Sequence, residues 1–199
     1  MPDGPATLAQ VEAAVWDELE RAVQGKARDG ARSAPHGWRT PVLATVDGDA
    51  ADARTVVLRS ADRAERRLTI FTDRRAAKVA QLMSRPHATF VMWSAALAWQ
   101  LRCRAVLTVR ASDDAANAAL WARIQRSPAA RDYLSELSPG TALGGDAPGA
   151  EESGHATGDG RENFVVIDAR VQSIDWLELH PSGHRRAVFE GGGARWVQP

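Results

Sequence analysis

Three short runs carry the residue types that could bind or orient a charged ligand. They are Arg54-Thr-Val-Val-Leu-Arg59, Ile70-Phe-Thr-Asp73, and the stretch from Arg74 and Arg75 to Lys78. The apolar spacing predicts a strand ending at Thr72 and a helix directly after it, over 74–85, with Pro86 as its stop. A helix N-terminus offers unpaired N–H groups and the positive end of a dipole, which suits a phosphate. Cations in that first turn oppose the dipole by ~0.3–1 kcal/mol each, so a bound anion would explain them. On their own, the same charges also read as a solvated set in a chain with 25 basic residues.

Arg54 adds weight to the first reading. Strand alternation puts it on one face with Val56 and Leu58, and puts Thr55, Val57 and Arg59 on the other. A cation sharing a face with Val and Leu needs a partner: a ligand phosphate, or an Asp from a neighbouring strand. Arg59 joins that site only through twist, a bulge or a contact beyond the strand. Gln100 sits between Trp99 and Leu101, and its amide, donor and acceptor at once, matches a heteroaromatic ring edge.

The elements that position these residues follow from pattern. Thr7–Val23 reads as an amphipathic helix with Thr7 and Gln10 as a capping box. Strands are expected over 41–46, 54–60, 67–72, 87–93, 99–111, 164–168, 171–179, 187–190 and 195–197, with a second helical region from Asp113 towards Tyr133. The Gly-rich run 139–163 reads as a mobile insertion. The sum is a mainly β, antiparallel domain of 199 residues with peripheral helices, most simply a closed or partly closed barrel.

Composition narrows the function. Twenty-five basic residues balance 25 acidic ones, which argues against coating a nucleic acid. One cysteine, Cys103, leaves no disulfide or multi-thiolate metal cage, and Pro181 and Gly183 keep His180 and His184 off one helix face. No metal is expected. The most apolar stretch, 88–99, is too short to span a membrane, and no secretory signal is visible, so the cytoplasm is the expected compartment. Seven Trp residues suit core and interface packing, with one or two able to wall a planar ring.

Taken in order, Arg54-Thr-Val-Val-Leu-Arg59, Phe71-Thr72, Lys78, Arg85-Pro86, Gln100-Leu-Arg102, Ile174-Asp-Trp-Leu-Glu-Leu-His180 and His184-Arg-Arg186 resemble the pyridoxamine 5′-phosphate oxidase-like, FMN-binding split-barrel family. The resemblance implies a six-stranded antiparallel split barrel of Greek-key type, a homodimer, and FMN at the subunit interface. It implies Arg54 and Lys78 as phosphate cations and Thr72 as a phosphate hydroxyl. Thr55, Val56, Val57, Leu58, Arg59 and Phe71 would line the flavin, and Gln100 would meet the ring edge. Arg186 would come from the partner chain, and Trp176 or Leu177 falls where the family often places a Trp beside the cofactor. Where true oxidases carry Arg-x-His for the substrate phosphate, this chain has Ser182-Gly183-His184. The Tyr-x-x-x-Arg-x-x-x-Ser substrate pattern is absent, and the only Tyr is Tyr133. The expectation is a flavin-dependent oxidoreductase acting on a small substrate, and these departures speak against pyridoxamine phosphate without excluding it. The alternatives are a flavin carrier without turnover, or the same barrel holding a deazaflavin or haem.

Overall fold

A computed structural model describes residues 7–24, 36–110, 114–142 and 160–199. It opens with helix α1 (Leu8–Gln24), which buries Val11, Val15, Leu19 and Ala22 at spacings of four, four and three. The capping box forms: Thr7 N–H donates to Oε1 of Gln10 at 3.0 Å, and Gln10 N–H to Oγ1 of Thr7 at 3.2 Å. A 3-10 turn (Gly37–Arg39) then delivers the chain to the sheet.

The sheet has nine antiparallel strands: β1 (Val42–Asp47), β2 (Ala50–Thr55), β3 (Leu58–Asp62), β4 (Arg67–Asp73), β5 (His87–Ser94), β6 (Trp99–Val109), β7 (Phe164–Glu178), β8 (Arg185–Glu190) and β9 (Gly193–Val197). Helix α2 (Ala77–Ser84) follows β4, and α3 (Ala115–Ile124) follows β6. The ladder order is β2-β1-β5-β6-β7-β4-β3, with β8 and β9 continuing from β7.

Two expectations are corrected. The run 54–60 is not one strand: β2 ends at Thr55 opposite Val42, the start of β1, Val56 N–H adds one in-register bond to the carbonyl of Pro41 at 2.9 Å, and β3 resumes at Leu58 against β4. The segments 164–168 and 171–179 are one strand of 15 residues, carried through a register shift opposite Arg104 and Ala105. These changes explain the strand count. If β2 and β3 are counted as one interrupted strand, six strands encircle the barrel and the β8–β9 hairpin lies beyond it. Among the described residues no ladder joins β2 to β3, so the sheet is not closed by hydrogen bonds and its two ends are linked only by the chain at Val56-Val57.

The barrel interior is filled by Leu43, Leu58, Leu68, Ile70, Phe90, Leu101, Cys103, Ile174 and Trp176, all at most 1% exposed. A satellite cluster of Trp121, Ala130, Tyr133, Phe164 and Val166 packs under α3. Of the Gly-rich run, residues 143–159 lie outside the described residues. Its C-terminal flank is tied down, since buried Asn163 donates from Nδ2 to the carbonyl of Tyr133 at 3.0 Å and its own carbonyl accepts from Arg74 N–H at 2.8 Å. Among the described residues, no helix is long and apolar enough to cross a membrane.

Candidate functional site

Arg54 pairs in register with Leu43, and Asp52 with Thr45. All four therefore share the inner face of the β1–β2 ribbon. Buried Leu43 fixes that face as the core side, so the guanidinium enters the barrel end and needs acceptors. It has them. Nη1 donates to Oγ1 of Thr45 at 2.5 Å and to the carbonyl of Leu43 at 3.3 Å. Nη2 donates to Oε1 of Gln81 at 3.0 Å and to Oδ2 of Asp52. The Asp comes from the same strand, two residues back, rather than from a neighbour. Asp52 also accepts from Nε2 of Gln81 at 2.9 Å. That bond, together with Arg54, holds its carboxyl below the usual value.

Helix α2 packs against β1 and β6 and presents Lys78 and Gln81 from one side. Lys78 donates from Nζ to Oγ1 of buried Thr72 at 3.0 Å. Burial, and then the charge of Arg54, push the Lys78 ammonium below its ordinary value, with Asp73 and Asp52 partly opposing. Arg54 thus penalises the charge on Lys78, a strain that an anion between them would relieve. Among the described residues no side chain caps the start of α2, and a helix end of this kind suits an anion.

The helix begins at Ala77, not at Arg74. Asp73 is the reason: its carboxylate accepts from Arg75 N–H at 2.7 Å and from Nη2 of Arg75 at 2.7 Å, closing a turn ahead of the helix. Arg75 also donates to the carbonyls of Ser135 and Glu136, at 2.9 and 3.0 Å. Arg74 is exposed. Of the three cations expected in the first turn, only Lys78 lies within it.

The remaining expected residues fall into separate places. Thr55 is exposed at the end of β2, Val57 is half-buried, and Val56 and Leu58 belong to the core. Arg59 occupies a bulge in β3, but that bulge does not bring it to Arg54. Its guanidinium lies 5.5 Å from the ring centre of Phe71, which packs on Phe164 in the satellite cluster. Phe71 and Thr72, adjacent in β4, thus serve opposite faces.

Gln100 lies on the outer face, in register between Trp93 of β5 and Leu177 of β7, and Leu177 is in turn opposite Arg186 of β8. Trp93 is 46% exposed there. Trp176, by contrast, is wholly buried, edge-on to Trp99 at 5.2 Å. The outer position beside Gln100 and Arg186 belongs to Leu177. Arg186 is held by Asp175 through bonds of 2.9 and 2.8 Å, and Asp175 also accepts from Arg102. Burial raises the Asp175 carboxyl, but the two arginines outweigh it and the net shift is downward. The position of Arg186 relative to the cation pair is set by β7. Thr72 is opposite Val165 near its start, and Arg186 opposite Leu177 near its end.

Asp52, Thr45 and Gln81 were not singled out from sequence. Two signals were there: Asp52 precedes Arg54 by two, hence on the same strand face, and Gln81 follows Lys78 by three on a helix. Thr45 needed the β1–β2 register. Among the described residues, no three His, Cys, Asp or Glu side chains cluster as a metal site.

Barrel and strand order together define a split-barrel protein with two neighbouring cations, Arg54 and Lys78, at one barrel end. Residues 13–111 match the family model described as pyridoxamine 5′-phosphate oxidase, FMN-binding domain. The chain belongs to this pyridoxamine 5′-phosphate oxidase-like, FMN-binding family. A pyridoxamine 5′-phosphate oxidase-related, FMN-binding protein from Nostoc punctiforme PCC 73102 has a similar structure, at 22% identity and TM-score 0.68, covering 94% of this chain and 96% of that one. PhzG from Burkholderia lata 383, solved with tetrahydrophenazine-1-carboxylic acid, is similar at 18% identity and TM-score 0.65, over 100% and 94% of the two chains. At such identities the likeness is one of fold. No curated protein sequence is similar enough to count as a relative.

Proposed function

We propose that the protein binds FMN and works as a flavin-dependent oxidoreductase on a small substrate, as a homodimer with the cofactor between subunits. The observation that carries this is the meeting of Arg54, Lys78 and Thr72 at the uncapped start of α2. Arg54 and Lys78 would hold the phosphate, with the Thr72 hydroxyl and the first N–H groups of α2 as further donors. FMN would supply the redox chemistry, the protein its position and electrostatics. On the outer face, Gln100 is available to meet a ring edge and exposed Trp93 to wall it.

Register favours a shared site. Thr72 and Arg186 are matched to opposite ends of β7, 12 residues apart between Val165 and Leu177. That is roughly 40 Å of strand. Gln100 is in register with the same Leu177, so a second subunit that contributes this row, Gln100 and Arg186 together, is the simpler way to bring these side chains to the same flavin.

A carrier without turnover is the second reading, and the Ser182-Gly183-His184 turn favours it. Ser182 lies 2.6 Å from Nδ1 of His180, in an exposed turn that has no arginine for a substrate phosphate. Titration of the purified chain with FMN, read by flavin fluorescence and absorption, tests the reading. Stoichiometric binding supports it, and failure to bind FMN, deazaflavin or haem removes it. Reduction of the bound flavin by a cell metabolite separates the oxidoreductase from the carrier.

A further inference from the structure

Arg54 has five N–H donors, and four are already engaged within the chain: two with Thr45 and Leu43, two with Gln81 and Asp52. As it stands, the guanidinium can offer an incoming phosphate only Nε–H. One partner differs from the rest. Thr45 and Gln81 are 2% and 7% exposed and fixed by packing, whereas the Asp52 side chain is 42% exposed on an edge strand. A single carboxylate oxygen, Oδ2 of Asp52, accepts from both Nη2 of Arg54 and Nε2 of Gln81. Two converging donors around one anionic oxygen mark an oxyanion position.

We infer that this position is a phosphate-oxygen subsite. Asp52 is a resident counter-anion that swings to solvent when a ligand phosphate arrives, and Gln81 is a phosphate donor beside Arg54 and Lys78. The inference rests on the flavin reading for the identity of the ligand, but not for the exchange itself. Its consequence is that Asp52 competes with the ligand. Removing its charge while keeping its shape tightens phosphate binding, whereas a residue that merely aims Arg54 would loosen it on removal.

The test compares wild type, Asp52→Asn and Asp52→Ala by titration with FMN and with riboflavin, which lacks the phosphate. Thermal unfolding confirms that each variant is folded. The expected result is FMN affinity raised ~3–10-fold in Asp52→Asn, the scale of one nearby charge in a half-solvated setting, with riboflavin affinity unchanged. Equal or weaker FMN binding by both folded variants overturns the inference. So does a parallel gain for riboflavin, because that would place the effect away from the phosphate. If wild type binds neither flavin, the flavin reading fails separately. The exchange is then read with inorganic phosphate, which should raise the unfolding temperature of Asp52→Asn more than that of wild type. An equal or smaller rise overturns it.

Discussion

The hydroxyl of Thr45 donates to Oε1 of Gln81 at 2.6 Å, tying the inner face of β1 to α2 beside the Arg54 guanidinium. Gln81 is therefore a joint between helix and barrel as well as a neighbour of the cations. Gln81→Leu preserves its bulk but strips acceptors from Thr45 and Arg54. It should cost ~1–3 kcal/mol, the penalty for leaving buried donors unmet, measured as a lower denaturation midpoint at unchanged slope. An unaltered midpoint would show that the joint is not structural.

Lys78 separates stability from binding. It is a half-buried cation that Arg54 repels, so Lys78→Met should leave the unfolding temperature unchanged or raise it. The same change should weaken FMN binding while sparing riboflavin. Replacing Arg54 and Lys78 together by Ala should abolish FMN binding without unfolding the barrel, as checked by circular dichroism. Unchanged affinity would refute the assignment of the site.

Asp175 makes stability depend on pH in a defined direction. Its folded carboxyl titrates below the usual value of 3.8. Its contribution is therefore fully present above that value, and is lost as pH falls through the lower folded one. Compared with wild type, Asp175→Asn should be less stable at neutral pH, and the difference should vanish in acid. Denaturation at several pH values measures this. A gap that persists in acid would assign the effect to packing instead.

Cys103 is wholly buried, and burial pushes its thiol up to about 12. A thiolate reagent should label it only as fast as the protein opens, so the labelling rate should rise with denaturant. Rapid labelling of the native chain would contradict the packing around β6.

Gly37 is constrained by contact. A Cβ there would lie 2.6 Å from the carbonyl oxygen of Trp93 and 3.3 Å from Cα of Ser94. The backbone of β5 cannot yield cheaply, so Gly37→Ala should destabilise by ~1–3 kcal/mol. Thermal unfolding reads the change, and a neutral result would place this turn further from β5.

Periodicity made α1 and its cap legible, because Thr7, Gln10 and the buried valines are local signals. The alternation that grouped Arg54 with Val56 and Leu58 also describes the inner face, although the strand itself breaks between them. The break was invisible because Val56 and Val57 have strong strand character, and β2 stops only because its partner β1 starts at Val42, leaving Val56 one last bond to Pro41. Likewise, the turn at Asp73 hid in a helical pattern, since two arginines there satisfy a carboxylate rather than a helix. Leu177 could not be chosen over Trp176 without the β6–β7 register, which decides which of the two faces out.

The missing ladder between β2 and β3 has one more consequence. Each of these strands pairs on one side only, and an unpaired strand edge is a template for joining another molecule. Strand β2 carries Asp52 and Arg54 along that border, and a bulge at Arg59 bends β3. Charge and curvature are the devices by which edge strands generally avoid pairing with another molecule. Exchanging Asp52 and Arg54 for apolar residues should therefore raise the tendency to aggregate as well as remove the cation pair, which light scattering of the folded variant would read.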